Sequence, residues 1–231
     1  ILRMKMKIGL FEKPLPEPRR TAGVLARPEN ARVCRRVFEK AAIVARDRDR
    51  LLPLRKEARV LVVEQYIPVY HEKCNDVHYH PGMFFEWMRG HSSNVEWLET
   101  RSPATDQDLR RFRDRSAPAE AIVFFNIFWR GSASNRPLIR EALKTGKPVI
   151  VATNDLYDAH FLPKAGTVVC TFGAVPGGTR VAADIIYGVR KAGGRWPLTL
   201  IRQDDLVAEG AEVDHVTSGH FLKPPTGEPQ M

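Results

Sequence analysis

Between residues 60 and 190 the apolar positions come in short blocks separated by polar stretches. VLVVE at 60–64, AIVFFNIF at 121–128, PVIVAT at 148–153 and TVVCTF at 167–172 read as strands, with VEWLE at 95–99 as a shorter one. Helical spacing fills the intervals. Residues 81–91 place Phe84, Phe85, Trp87 and Met88 on a bulky face, and residues 105–115 form a polar helix. Thr105 suits the N-cap of that helix, with Asp106 and Asp108 in its first turn. Residues 135–145 end at Gly146, and residues 181–190 end near Gly193-Gly194. The strands are continuous apolar runs rather than alternating ones, so both of their faces are expected to be buried. That predicts an α/β fold: a three-layer αβα sandwich around a mostly parallel sheet of about five strands, flavodoxin-like or related.

Ahead of this core the pattern changes. Residues 29–46 (ENARVCRRVFEKAAIVAR) set Ala31, Cys34, Phe38, Ala41, Ala42 and Ala45 at helical intervals, predicting an amphipathic helix that leads into the sandwich. Pro14, Pro16, Pro18 and Pro28 lie among charged residues and predict an extended linker over 10–28. The opening, ILRMKMKIGLFEKP, mixes Ile1, Leu2, Met4, Met6 and Ile8 with Arg3, Lys5 and Lys7 before Gly9 and Pro14. A basic last turn, then Gly, then Pro is the signature of a helix C-terminus. A chain that opens on the last turns of a helix is expected to be a piece of a larger protein. Residues 199–231 are polar with prolines near the end, predicting a loosely ordered tail. The expected organisation is thus 1–28 as helix remnant and linker, 29–198 as the sandwich, and 199–231 as the tail.

Charge separates the same regions. Residues 1–59 carry 17 Lys and Arg against 7 Asp and Glu, and the remainder carries 19 against 20. The core is neutral and the leading arm is basic. A basic arm fits nucleic acid, an acidic neighbouring surface, or a solvated helix. No interleaving of aromatic and basic residues and no nucleic-acid motif accompanies it, so a nucleic-acid partner is not expected. No run approaches the ~18–20 apolar residues of a membrane-spanning helix, and none is expected to engage a membrane. Cys34, Cys74 and Cys170 are odd in number and far apart, which does not suggest a disulfide framework. The compartment is not legible in the sequence.

In a doubly wound sheet, ligands bind beyond the carboxyl ends of the strands. The loops that follow the strands are therefore where chemistry is sought. Loop 65–80 (QYIPVYHEKCNDVHYH) contains His71, Cys74, His78 and His80, types that ligate zinc. Their spacing, H-x2-C-x3-H-x-H, matches no standard structural site. The preferred reading is a loop packed on the sheet edge, and no metal or other cofactor is expected. The glycines of 173–179 (GAVPGGT) raise the alternative of a phosphate cradle at a helix start. They match neither G-x-G-x-x-G nor the P-loop pattern, so a turn and a helix start is the better reading. There is no G-x-S-x-G elbow, and Ser132 has no evident base nearby. Asp155 and Asp158 read as a solvated pair.

Taken in order, several segments resemble glycoside hydrolase family 3. The opening 14 residues look like the last helix of that family's (β/α)8 barrel and the exit from it. Residues 41–54 (AAIVARDRDRLLPL) are similar to the lead into its second domain. Glu64, His80-Pro81-Gly82, residues 129–135 (WRGSASN), 149–154 and 169–172 follow the order of that domain's α/β sandwich. Gly193-Gly194-Arg195-Trp196-Pro197-Leu198 resembles its closing segment, with Trp196 where Leu is usual. The resemblance spans about residues 1–200.

It implies hydrolysis of terminal β-linked sugars with retention, which needs a carboxylate nucleophile and a proton donor close together. In the family the nucleophile is an Asp on the barrel, a role no residue of this chain inherits, so no catalytic residue is expected in it. In many of the β-glucosidases the donor is a Glu on a second-domain loop. The matching stretch here, 128–135, has neither Glu nor Asp. In the β-N-acetylglucosaminidase branch the donor is a barrel His, so the resemblance leans toward that branch. The partners it implies are the barrel of the same protein and a carbohydrate at the domain interface. Arg130, Ser132 and Asn135 are the residues it places at the substrate pocket, with Asn154 and Asp155 next. Two other classes stay open: a free-standing flavodoxin-like module that binds a nucleotide or sugar, and an interaction domain docked by its basic arm.

Overall fold

The computed structural model describes residues 1–12, 18–68, 71, 79–128, 135–156, 162 and 164–197. It divides into two compact units, residues 1–37 and the chain from Phe38 onward.

In the first unit lie α1 (Leu2–Lys7), α2 (Pro18–Leu25) and the greater part of α3 (Pro28–Ala41). Gly9 follows α1 with a φ of 67°, the left-handed stop that its sequence signals. The extended linker expected over 10–28 is helical from Pro18. Proline fixes φ near the helical value and lacks only an N–H that a first turn leaves unbonded anyway, so Pro18 and Pro28 each open a helix. None of the three helices has a buried residue.

The second unit is a six-stranded sheet: β1 (Ile43–Asp47), β2 (Val60–Tyr66), β3 (Val95–Arg101), β4 (Ala121–Asn126), β5 (Val149–Thr153) and β6 (Thr167–Cys170). Its order is β1-β6-β5-β4-β2-β3. β2 to β6 are parallel, and β1 joins β6 antiparallel at one edge. Among the described residues four helices complete the layers: α4 (Met83–Arg89), α5 (Asp106–Ser116), α6 (Arg136–Lys144) and α7 (Pro176–Ile186).

Alternation along the strands sends successive side chains to opposite layers. Val60, Val62, Val123 and Phe125 pack with Phe84 and Met88 of α4 and Ile185 of α7. Leu61, Val63, Ile122 and Phe124 pack with Phe112 of α5 and Leu138 and Ile139 of α6. Burying each such side chain stabilises the fold by about 1.5–3 kcal/mol. The continuous apolar runs therefore become central strands, as expected.

The sixth strand corrects the expected helix over 29–46. That helix ends at Ala41, and residues 43–47 extend along β6, with Ile43 opposite Cys170 and Asp47 opposite Thr167. A register shift between Val44 and Arg46 disturbs the alternation that marks a strand. Arg46 is turned inward, where its Nη1 donates to the carbonyls of Leu162 (3.1 Å) and Ala165 (2.8 Å). Burial lowers the pKa of that guanidinium, and the charge of Arg48 lowers it further. The last helix also begins earlier than expected, at Pro176 rather than 181.

Candidate functional site

Strands β2 and β4 are neighbours in the sheet, while the chain leaves β2 for β3 on the other side before it returns. The order therefore reverses between β2 and β4, the place at whose carboxyl ends doubly wound sheets bind ligands. The apolar runs turn polar at that level. Glu64, Gln65, Thr100, Asn126, Thr153 and Thr171 are all nearly inaccessible to solvent.

On the α5/α6 side, Gln65 Nε2 donates to the Ile127 carbonyl at 2.7 Å. The Asn135 backbone N–H donates to Asn126 Oδ1 at 3.0 Å and lies 3.4 Å from Gln65 Oε1. Asn135 Nδ2 donates to Thr100 Oγ1 at 2.6 Å. Four elements thus meet on one amide network. Asn135 Oδ1 is buried and has no hydrogen-bond partner among the described residues.

On the opposite side, Glu64 holds the start of α4. Its Oε1 accepts from the Tyr79 hydroxyl (2.9 Å) and the Phe84 N–H (3.0 Å), and its Oε2 from the N–H groups of Gly82 (2.9 Å) and Phe85 (3.1 Å). Gly82 has a φ of 94°, which glycine tolerates and which aims these N–H groups at one carboxylate. Burial pushes the Glu64 pKa up, against the lowering effect of all four donors. The carboxylate is enclosed and fully coordinated, so it works as an internal clamp.

The residues singled out in the sequence have different fates. Arg130 and Ser132 lie outside the described residues. Asn135 is buried at the N-cap position of α6, where its side chain turns to Thr100 rather than capping the helix. Asn154 is half-buried: its Oδ1 accepts from the Phe128 N–H at 2.8 Å and its Nδ2 donates to the Phe128 carbonyl at 3.0 Å. Asn135 and Asn154 therefore fix the residues flanking segment 129–134. Asp155 is half-buried, and its N–H donates to Thr153 Oγ1 at 3.4 Å. Asp158, Cys74 and His78 are also outside the described residues.

His71 Nδ1 contacts the Ile67 N–H (3.0 Å) and carbonyl (2.8 Å), and its ring stacks on Tyr66 at 4.6 Å. His80 is exposed, beside the Pro81 carbonyl. Among the described residues no three His, Cys, Asp or Glu side chains gather as metal ligands. No helix among them is long and apolar enough to cross a membrane.

The glycine loop after β6 is a turn leading into α7, the better of its two readings. Val175 is the N-cap, and the Gly178 N–H returns to the Val175 carbonyl at 2.8 Å. Gly178 lies so close to the Gly173 carbonyl that any side chain there would overlap it. Sequence reasoning missed Gln65, Thr100 and Asn126. The available signal was a polar residue ending an apolar run, which is weak until the strand order brings three of them together.

No protein-family model matches the sequence, and no curated protein matches it. Solved structures do. A glycoside hydrolase family 3 β-N-acetylglucosaminidase from Paenibacillus sp. str. FPU-7 aligns with 74% of this chain and 32% of its own, at TM-score 0.65 and 21% identity. A β-glucosidase from Listeria innocua aligns with 85% of this chain and 31% of its own, at TM-score 0.58 and 18% identity. A fungal multi-domain family 3 β-N-acetylglucosaminidase aligns with 73% of this chain and 19% of its own, at TM-score 0.51 and 16% identity. The chain spans about a third of the first two structures and a fifth of the third. Its fold is one these family 3 glycoside hydrolases contain over part of their length.

Proposed function

We propose that this chain is the second, α/β domain of a glycoside hydrolase family 3 enzyme, together with the end of the barrel that precedes it. The observation that carries this is the partial match: most of this chain aligns with about a third of such an enzyme. The ordered sequence resemblance points to the same family independently. The nucleophilic carboxylate then belongs to the barrel, outside these 231 residues. This domain supports and completes the substrate pocket, and it is inactive alone. Asp155 and the segment 129–134, with Arg130 and Ser132, face the barrel's mouth, while Asn135 and Asn154 hold that segment's ends. A stretch 128–135 without Glu or Asp favours β-N-acetylglucosaminides over β-glucosides as substrates.

Two measurements test this. The coding sequence upstream of Ile1 should encode a barrel with an acidic nucleophile. Chromogenic β-N-acetylglucosaminide and β-glucoside should be untouched by the 231-residue chain and cleaved, the former faster, when the barrel is present. Turnover by the chain alone that falls in Ser132→Ala would mark an independent enzyme and end this reading.

The strand order favours a second reading, since β3-β2-β4-β5-β6 is the flavodoxin arrangement, which houses nucleotide-like ligands at the switch point. It predicts saturable binding of a nucleotide to the chain alone.

A further inference from the structure

We propose that Phe172 is a sugar-stacking residue, its ring forming the apolar floor of a pyranose subsite beside Asp155. The ligand class rests on the family reading above; the position rests on the local structure.

Phe172 lies two residues beyond the end of β6, at the carboxyl edge of the sheet. Its φ is 56°, the left-handed region that glycine and asparagine occupy readily and a bulky aromatic does not. Such a conformation persists only where the surroundings impose it. Here they do. The Thr171 N–H donates to the Thr153 carbonyl at 2.9 Å. The Thr171 hydroxyl lies 3.2 Å from that carbonyl and 2.8 Å from the Gly173 carbonyl. The Gly173 carbonyl in turn rests against Gly178 of α7.

The backbone is thus fixed on both sides of Phe172, and much of the ring stays open to solvent. Phe172 is 41% exposed and belongs to neither apolar cluster. Glycine would take this backbone without strain.

The neighbours suggest what the ring meets. Thr153 pairs with Cys170, so 154–155 and 172–173 leave the sheet side by side. An aromatic residue and an acidic one on adjoining strand ends suit a pyranose, whose axial C–H groups are apolar and whose rim of hydroxyls donates hydrogen bonds. Asn154, clamped to Phe128, keeps the same edge in place.

The test uses the 231-residue chain, isotopically labelled for NMR, with N,N′-diacetylchitobiose and cellobiose as probes. Saturable shifts of the Phe172 ring and the 171–173 amides are expected with at least one of them. Phe172→Ala should weaken that binding about tenfold or more, and Phe172→Trp should preserve it. Phe172→Gly should lose binding while its Tm holds or rises, because backbone strain is released; a packing residue would lower Tm instead. Binding unchanged in Phe172→Ala, or no saturable shift at Phe172, overturns the proposal. A fall in Tm in Phe172→Gly overturns it too. The family reading fails separately, if no barrel is encoded upstream, whatever Phe172 does.

Discussion

The Tyr79 hydroxyl donates to Glu64 Oε1 at 2.9 Å inside the layer between the sheet and α4, and both residues are sealed from solvent. This bond ties the residue after segment 72–78 to the end of β2. Glu64 also receives three backbone N–H groups, so glutamine cannot replace it neutrally. A glutamine NH2 would face donors where Oε2 now accepts from Gly82 and Phe85. Each buried donor left unsatisfied costs about 1–3 kcal/mol. We expect Glu64→Gln to lower the unfolding free energy by about 2–4 kcal/mol and Tyr79→Phe by about 1–2 kcal/mol, read from urea denaturation. Equal stability of Glu64→Gln and wild type would show that the clamp does not form.

The same carboxyl predicts a pH dependence. Burial raises its pKa in the native chain, so the folded state holds the proton more tightly than the unfolded state, where Glu titrates near about 4.3. Stability contributed by this difference is complete below the unfolded value. It is lost as pH rises through the higher native value and then levels off. The stability of wild type minus that of Glu64→Gln should therefore fall with rising pH above about 4. A difference that rises over that interval would mean that the four donors outweigh burial.

Lys147 ends the loop after α6 but serves α5. Its Nζ donates to the carbonyls of Ser116 (2.6 Å), Ala117 (2.6 Å) and Ala119 (2.7 Å), using all three ammonium donors on carbonyls at and just beyond the C-terminus of α5. Lys147→Met keeps the aliphatic stem and removes the donors. A loss of about 1–3 kcal/mol is expected, with faster amide exchange confined to the last turn of α5. Exchange rates there that match wild type would count against the cap.

How much of this was legible beforehand depended on whether the signal was local. Thr105 and Asp108 sit three apart, and the structure gives them the full reciprocal capping box, with Asp108 N–H to Thr105 Oγ1 at 3.2 Å and Thr105 N–H to Asp108 Oδ2 at 2.9 Å. The four long apolar runs likewise announce buried strands, because an unbroken run has no solvent face. β1 was not legible: Ala41, Ala42 and Ala45 also fit a helix, and only pairing with β6, over a hundred residues away, settles the segment as a strand. The switch-point network is non-local in the same way. Gln65, Thr100 and Asn126 each end a different strand, and nothing in their spacing shows that β4 returns beside β2. Asn135 and Asn154 enter through the family resemblance, as substrate-pocket residues. Their hydrogen bonds to Thr100 and Phe128 depend on loop geometry that residue type does not encode.

Two glycines after β6, with Gly23 of α2 as a reference, allow the close approach of β6 and α7 to be tested. Inside a helix, Gly→Ala ordinarily stabilises by about 0.5–1 kcal/mol. Gly23, in α2, has no atom within 4 Å of where its Cβ would lie, so Gly23→Ala should show that gain. At Gly177 the new methyl would lie 2.6 Å from Phe38 Cδ2, a side-chain atom able to shift, and the effect should be near zero or mildly unfavourable. At Gly178 the obstacle is the backbone carbonyl of Gly173, held in turn by the Thr171 hydroxyl. Displacing it strains the whole 171–175 turn, and overpacking of that kind costs about 1–3 kcal/mol, more than helix propensity returns. Thermal unfolding should therefore rank Gly23→Ala above wild type, Gly177→Ala close to it and Gly178→Ala clearly below. If Gly178→Ala melts at or above the wild-type temperature, the carbonyl of Gly173 does not rest against α7, and the turn that carries Phe172 is not fixed from that side.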